Sequence, residues 1–273
     1  MPVELRRDQM SLALPLFIKN PHHSIAKSCC MGLCASYAFA DATDRPSAAI
    51  IVLERFGLGF AAGDAKHAEA LLDAIRGLHP WFMVYDPPET WQRHLACWSK
   101  DSFASFRYSF QRDKSLFRAN TLRRLTRVPD GCILVPYNYD LLQEALSAEW
   151  SEDQMGAFYN ERDFLGRGFG LALLRDGELV AGCTTFCRHH DGYDIQVDTR
   201  PDMRNKGYAT CVAAAFIQEC LSMGHTPYWD AANLSSLRLA QRLGYVFNGA
   251  YLTWMLIDEE TSMEDVRRKA IGK

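Results

Sequence analysis

The stretch VDTRPDMRNKGYATCVAAAFIQECLSMG, residues 197–224, joins the end of an apolar segment, a basic loop and a helical repeat. From Ala209 to Cys220 the apolar residues recur at the spacing of one helix face. Gly224 then suits the end of a helix, because glycine adopts the left-handed conformation at little steric cost. The stretch therefore predicts a strand, a loop and a helix, in that order.

The loop between the predicted strand and helix favours an anionic ligand. Free backbone amides and the helix dipole attract negative charge at a helix N-terminus. Arg204 and Lys206 add positive charge there, and Gly207 lacks the side chain that would block a close backbone approach. A phosphate group is the ligand that this chemistry suggests. Taken alone, the loop favours the alternative interpretation, a tight turn that carries solvated basic residues.

The segments around the loop predict a mixed sheet. Upstream, a strand and a helix precede three β segments in residues 168–199, with turns at Asp176-Gly177 and Asp191-Gly192. Downstream, residues 226–231 are typical of a strand, a short helix ends at Gly244, and two further β segments follow. This order of elements predicts the α+β fold class, with a mixed α/β sheet.

Two short motifs resemble the signatures of the GNAT superfamily of acetyl-CoA-dependent N-acetyltransferases. The first is similar to the pyrophosphate loop of the superfamily, and the second is similar to its next conserved signature. The matching residues are Arg204, Gly207 and Ala209 in the first motif, and Asn233, Ser236 and Leu243-Gly244-Tyr245 in the second. The resemblance covers residues 130–257, and it extends to a bacterial branch of the superfamily that carries a long N-terminal extension.

The resemblance implies that acetyl-CoA binds along the fourth strand of the domain and in the basic loop. The pantetheine would pair with the strand backbone as an added strand does, and the pyrophosphate would lie against the loop amides. The residues implied are Val197, Asp198 and Thr199 on the strand, Arg204, Asn205, Lys206, Gly207, Tyr208 and Ala209 in the loop, and Asn233 and Ser236 beyond it.

Acetyl transfer to an amine also needs a base, because only the neutral amine attacks a thioester. Asp194, Gln196 and Asp198 alternate along the fourth strand and therefore share one face. Asp194 is the first candidate for the base, Asp198 the second and Asp230 the third. For each of them, a solvated carboxylate at a strand edge is the alternative interpretation.

The general acid of many superfamily members has no counterpart here. The tyrosine that they place in the helix of the second motif is Ala240 in this chain. Tyr208, Tyr245 or water could protonate the thiolate, the thiolate could leave unprotonated, or the chain could bind acyl-CoA without catalysis. His189 and His190 lie in the predicted turn before the fourth strand, and we expect both to be exposed.

Composition narrows the range of partners. The net charge of −3 gives no sign of a nucleic-acid partner, and no apolar run approaches the roughly 18 residues of a membrane span. The G-x-x-x-x-G-K-[ST] motif of nucleotide-binding proteins is absent. Nine cysteines without zinc-finger spacing favour a reducing cytoplasm and predict no metal site. We therefore expect acetyl-CoA as cosubstrate and a small-molecule or peptide amine as acceptor.

Residues 1–127 carry none of these motifs and are predicted to form a separate α/β domain before the transferase domain of residues 128–273. Two β segments meet at Phe56-Gly57, and a helix is expected over residues 66–78. A degenerate GNAT-like repeat that cannot bind CoA is one interpretation, and an unrelated α/β extension is the other. The repeat requires that helix to lead into a parallel strand at residues 81–85.

Overall fold

The structure is a computed structural model that describes residues 1–258. Two compact units divide the chain. Met1–Arg107 and the C-terminal segment that starts at Ala250 form the first unit, and Tyr108–Gly249 form the second. The domain boundary predicted after residue 127 stays a prediction.

Thirteen strands and nine α-helices are present in the described residues. The strands are β1 (Val3–Glu4), β2 (Ser36–Ala40), β3 (Ala48–Leu53), β4 (Leu58–Gly63), β5 (Trp81–Tyr85), β6 (Phe103–Phe110), β7 (Cys132–Pro136), β8 (Gly170–Arg175), β9 (Glu178–Arg188), β10 (Gly192–Thr199), β11 (Thr226–Tyr228), β12 (Asp230–Ala231) and β13 (Phe247–Ile257). The helices are α1 (Leu14–Phe17), α2 (Ser24–Cys30), α3 (Ala68–Ile75), α4 (Gln92–Ala96), α5 (Ala119–Leu125), α6 (Tyr139–Ser147), α7 (Glu161–Arg167), α8 (Tyr208–Ser222) and α9 (Leu234–Leu243).

The first unit contains an antiparallel meander of β2, β3 and β4, with β1 paired to β2. Strand β5 joins β4 in parallel, and the end of β13 pairs with β5. Helix α3 leads from β4 into β5, so the connection that a GNAT-like repeat requires is present. The apolar stripe of α3 packs on β3, and every residue of β3 is buried, which explains its unbroken apolar sequence.

Strands β4 and β5 pair only over a short register that reaches Gly59. Beyond it, the indole Nε1 of Trp91 donates to the carbonyl of Gly63 at 2.9 Å, at the end of β4. Nε2 of His23 donates to the carbonyl of Tyr85 at 2.9 Å, at the end of β5. Both side chains are buried. Side chains of the first unit therefore form hydrogen bonds with backbone carbonyls of β4 and β5, beyond the point where the two strands stop pairing with each other.

The burial of His23 predicts a loss of stability in mild acid. Burial lowers the pKa of this imidazole from 6.5 to about 4, although the Tyr85 carbonyl and the charge of Asp86 act in the opposite direction. Below pH 6.5 the unfolded chain takes up a proton that the folded unit does not accept until about pH 4. Stability present above pH 6.5 is therefore lost as the pH falls, by up to about 3 kcal/mol of unfolding free energy.

Urea denaturation at a series of pH values across this window measures the effect. The His23→Gln variant should show a smaller decrease in unfolding free energy between neutral and acidic pH. The exposed His190 serves as control, and His190→Gln should keep the full decrease. An unchanged pH dependence in His23→Gln would contradict the assignment to this histidine.

The second unit contains a five-stranded sheet in the order β11-β10-β9-β8-β7. Strands β7 to β10 are antiparallel, and α8 leads from β10 into β11, which is parallel to it. Asp176 and Gly177 have φ values of 54° and 84°, as a two-residue hairpin turn requires. A meander, a crossover helix and a parallel strand thus occur in both units, and the fold is α+β with mixed sheets as predicted.

The core of the second unit lies on both faces of this sheet. Helix α8 packs on one face through residues that include Val212 and Phe216, and α6 packs on the other beside Tyr137. The two β segments expected after Gly244 are one strand, β13, because Gly249 (φ 128°) bends the chain without ending the strand. No helix in the part of the chain that the structure describes has the length and apolar character needed to cross a bilayer.

Candidate active site

The basic loop lies at the N-terminus of α8. Gly207 takes the N-cap position with a φ of 82°, and Asn205 has a φ of 63°. No side chain caps this helix, and its first turn carries no acidic residue. No other part of residues 1–258 lies within 4 Å of the position that a Cβ of Gly207 would take. The amides of the first turn are therefore open to an anion from solvent.

Arg204 and Lys206 carry charges that no carboxylate of the described residues neutralises. Neither side chain takes part in an ion pair, and both donate to nearby backbone carbonyls instead. Arg200 differs, because its guanidinium is paired with Glu178 at 2.8 Å and Asp202 at 2.9 Å. Two uncompensated positive charges thus lie beside the open amides, which adds to their attraction for an anion.

Strands β10 and β11 part shortly before the loop. Their parallel pairing extends from Gly192 to Asp194, whereas β10 stays paired with β9 as far as Thr199. Over Ile195–Thr199 the structure records no pairing of β10 with β11. A strand edge of this kind can pair with an extended ligand that carries amide groups, in the manner of an added strand. The edge includes Val197, Asp198 and Thr199, as the sequence implied.

Two amide side chains hold the carboxylate of Asp198. Its Oδ2 accepts from Nε2 of Gln154 at 2.7 Å and from Nε2 of Gln196 at 2.9 Å. Alternate residues of β10 pack against α8, so Asp198 lies on the opposite face of the sheet. Gln154 is fully buried, and its Oε1 and the hydroxyl of Tyr137 have no hydrogen-bond partner among residues 1–258. Burial and the charge of Asp198 raise the pKa of Tyr137 well above its usual range.

Asp194 forms a buried pair with His189. Its Oδ2 lies 2.6 Å from Nε2 of His189, and the two side chains are 12% and 7% exposed. The expectation that His189 is an exposed turn residue was wrong, whereas His190 is exposed. Asp194 lies opposite Cys187 in the β9–β10 register, and His189 follows two residues later on the same face. The register of the hairpin therefore brings the imidazole to the carboxylate.

Cys187 joins His189 and Asp194 in a group whose donor atoms all lie within 4.8 Å of one another. Such a group has the chemistry of a metal site. However, two ligands of one tetrahedral zinc ion are about 3.3 Å apart, and the imidazole and carboxylate are 2.6 Å apart. The geometry is that of a hydrogen bond between the two side chains, which favours an acid–base pair over a metal centre.

The residues of the second motif begin α9. Oδ1 of Asn233 accepts from the amide of Ser236 at 2.9 Å, which caps the helix. Oγ of Ser236 accepts from Nε1 of Trp229 at 3.0 Å. Both motif residues are partly exposed, and Gly244 ends the helix with a φ of 109°. Their predicted contact with pantetheine stays a prediction.

The tyrosines considered as general acid lie in different surroundings. Oη of Tyr208 accepts from Nη1 of Arg175 at 2.9 Å, which leaves the proton of the hydroxyl available. Tyr245 is buried in the core with Phe117 against its ring, and its hydroxyl does not reach solvent. Ala240 is fully buried. Burial therefore disfavours Tyr245 as a general acid, whereas Tyr208 stays a candidate.

A mixed sheet whose parallel strands part beside an open helix N-terminus offers a strand edge to an extended ligand and open amides to an anion. A family model described as GNAT acetyltransferase matches residues 15–254, so the chain belongs to this family. It is therefore an acetyltransferase, and the match extends through both units. The two sequence motifs, in the basic loop and at the start of α9, indicated the same superfamily.

Individual relatives agree with the family. The uncharacterized N-acetyltransferase YdfB of Bacillus subtilis is 27% identical, over 76% of this chain and 80% of that protein. A GCN5-related N-acetyltransferase-like protein from Streptococcus suis is 29% identical, with a TM-score of 0.81 over 90% of this chain and 98% of that one. A tandem GNAT protein from the clavulanic acid biosynthesis pathway shares the fold at 10% identity, with a TM-score of 0.53 over 96% and 100% of the chains.

Proposed function

We propose that this chain transfers the acetyl group of acetyl-CoA to an amine, which attacks the thioester directly. The observation that carries the proposal is the open N-terminus of α8, with Gly207 at the N-cap and uncompensated charges on Arg204 and Lys206, directly after the unpaired edge of β10. These features offer one site for a pyrophosphate and another for a pantetheine, in the order in which CoA carries the two groups.

The proposed contacts follow from this placement. The pantetheine amides pair with the backbone of β10, and an amide of that edge stabilises the oxyanion of the tetrahedral intermediate. The loop amides and the two basic side chains hold the pyrophosphate. The residues assigned are Val197, Asp198 and Thr199 for the pantetheine, Arg204, Asn205, Lys206, Gly207, Tyr208 and Ala209 for the pyrophosphate, and Asn233 and Ser236 for the pantetheine from the side of α9.

We place proton transfer from the amine beside Asp194 on β10, and the position of Asp198 on the same strand is the second candidate. Both carboxylates lie on rigid strand positions and both accept hydrogen bonds from neighbouring side chains. Alignment of the amine with the thioester supplies a large part of the rate enhancement, because it makes the reaction intramolecular. The thiolate of CoA is a good leaving group, which makes the absence of a tyrosine at Ala240 tolerable.

The first unit, in this proposal, is a degenerate GNAT-like repeat that does not bind CoA. Asp64 caps the turn before α3 by accepting from the amide of Lys66 at 3.0 Å, and Glu69 lies in the first turn of the helix. Asp64 thus takes up a backbone amide at the start of this helical segment, and its charge is paired with Lys66 at 2.8 Å. Glu69 adds a negative charge that disfavours a phosphate. Trp91 and His23 bond to the carbonyls that an extended ligand would meet between β4 and β5.

Amine-dependent release of CoA is the expected result of an assay with acetyl-CoA and a panel of amines. The panel contains polyamines, amino acids, aminoglycosides and lysine-containing peptides, and a thiol reagent reports free CoA. Release above the rate of hydrolysis with at least one amine class supports the transferase. Binding of acetyl-CoA in calorimetry without turnover on any class would favour the alternative, a non-catalytic acyl-CoA-binding or regulatory module. An absence of binding would contradict both.

We also propose the cytoplasm as the compartment of this protein. None of the nine cysteines forms a disulfide in residues 1–258, and most are buried. Cysteines without disulfides are typical of proteins in reducing compartments.

A further inference from the structure

We propose that His189 is the group that takes the proton from the acceptor amine, and that Asp194 acts as its positioning residue. The inference rests on the proposed acetyl transfer and assigns the base within it. It exchanges the roles expected from the sequence, in which Asp194 was the first candidate for the base and His189 had no role.

The position of the pair supports this assignment. Asp194 is the last residue of β10 that pairs with β11, so the pair lies where the two strands part. The unpaired edge of β10, where the pantetheine is proposed to bind, starts at the next residue. Nε2 of His189 and Oδ2 of Asp194 are 2.6 Å apart, and both side chains are largely shielded from water. The imidazole is thus oriented, and it lies at the inner end of the proposed cofactor site.

The chemistry of the two groups decides which of them accepts the proton. Of the two kinds of group, a neutral imidazole is the stronger base at neutral pH, because a carboxylate binds a proton only in more acidic solution. Because a carboxylate only accepts hydrogen bonds, Nε2 donates to Asp194 and the lone pair of the neutral ring lies on Nδ1. When Nδ1 takes a proton, the carboxylate stabilises the resulting imidazolium, as in hydrolase triads.

Other titratable groups face the imidazole from the neighbouring strands. The ring of Tyr228 on β11 lies 5.2 Å from it, and the hydroxyl of that tyrosine donates to Asp191 at 2.5 Å. Burial and this hydrogen bond raise the pKa of Tyr228, so it stays neutral near neutral pH. The guanidinium of Arg112 lies over the Tyr228 ring at 4.9 Å, and the thiol of Cys187 is on β9. Asp194 is the charge in hydrogen-bond contact with the ring.

In the proposed step two protons leave the acceptor nitrogen, and a C–N bond replaces the C–S bond of the thioester. The ammonium form of the acceptor loses one proton to Nδ1 of His189, directly or through one water, and its nitrogen then attacks the carbonyl carbon of the thioester. The C–N bond forms, the C–S bond breaks, and the sulfur leaves with the bonding electron pair. The second proton of the nitrogen goes to the thiolate or to water, and His189 returns its proton to water.

The test compares His189→Gln and Asp194→Asn with the exposed control His190→Gln, using the full chain. In wild type, kcat/KM should fall on the acidic side as the imidazole becomes protonated. His189→Gln should lower kcat/KM by about 100-fold or more and remove this acidic limb. Asp194→Asn should keep the limb but lower kcat/KM by a smaller factor than His189→Gln does, because the imidazole is no longer held in position by the carboxylate. His190→Gln should behave as wild type, and all three variants should bind acetyl-CoA as wild type does.

A second measurement does not depend on turnover. In a protein with ¹⁵N-labelled histidine, the His189 ring should be the tautomer protonated at Nε2, and this preference should be lost in Asp194→Asn. If Asp194→Asn removes the acidic limb while His189→Gln retains it, Asp194 is the base and our assignment is overturned. A His189 ring protonated at Nδ1 in wild type would overturn it too. If wild type releases no CoA with any amine, the proposed function itself fails, which is a distinct result.

Discussion

Gly207→Glu should abolish detectable acetyl-CoA binding while leaving the second unit folded. The new carboxylate would lie at the N-cap of α8 and repel the pyrophosphate that the open amides are proposed to hold. We expect a loss of affinity of at least about 100-fold, which corresponds to about 2.7 kcal/mol. The left-handed backbone at this position costs a non-glycine residue about 1 kcal/mol, and no other group lies within 4 Å of the new Cβ.

Gly224→Glu is the matched control for this variant. Gly224 follows the other end of α8, has a φ of 77°, and likewise has open space at its Cβ position. The control therefore introduces the same side chain and a similar backbone strain away from the proposed site. Calorimetric titration with acetyl-CoA measures binding, and circular dichroism confirms folding. A folded Gly207→Glu protein with wild-type affinity would show that the cofactor binds elsewhere.

Gly156→Ala should destabilise the second unit by about 3 kcal/mol or more. Gly156 has a φ of 58° and a ψ of −146°, near a region of backbone conformation that is essentially restricted to glycine. A Cβ at this position would lie close to the carbonyl oxygen and the Cα of Phe186, at 2.2 and 2.5 Å. That carbonyl also accepts from the amide of Ala157 at 2.7 Å, so strand β9 cannot move away without losing this hydrogen bond.

Gly166→Ala provides the comparison for the same substitution. Gly166 lies within α7, and no neighbouring group lies within 4 Å of its Cβ position. Alanine favours a helix over glycine by up to about 1 kcal/mol, so this variant should be as stable as wild type or slightly more stable. Urea denaturation of the two variants gives the difference. Equal stabilities would refute the argument from the contact with β9.

Local chemistry explains which features were predictable. The turn at Asp176-Gly177, the helix of residues 208–222 and the N-cap Asn233 each depend on neighbours within one or two turns of chain. Gly207 belongs to the same group, because a glycine directly before a helical repeat is visible from the sequence alone. The superfamily was therefore predictable, since its two motifs consist of such local signals.

Contacts between distant residues were not predictable in this way. Gln154 binds Asp198 across 44 positions of sequence, and nothing in the turn that carries it marks a partner on β10. His189 is only five positions from Asp194, yet its burial depends on how β9 and β10 are paired. A register shift lies between Asp194 and Ile195, opposite Phe186. A shift of one residue changes which face a side chain takes, and the sequence of a turn does not specify it.

In the first unit, too, local structure was predictable and contacts between separate segments were not. Two strands of its meander, the crossover helix and the strand at residues 81–85 could be inferred from periodicity, because alternation and helical spacing are local properties. The hydrogen bonds of Trp91 and His23 to the carbonyls of β4 and β5 could not be inferred in this way. Residues from separate segments come together there only after the sheet has formed.

The amino-acid sequence by itself determined the basic loop before α8, the strands and helices on either side of it and the family, since each depends on residues that are close in the chain. Only the tertiary structure decided that Asp194 meets an imidazole, that Asp198 is held by two amides, and that the strand ends of the first unit are bonded by its own side chains. Strand register and packing place side chains from different segments within hydrogen-bond distance, and no short stretch of sequence encodes such contacts.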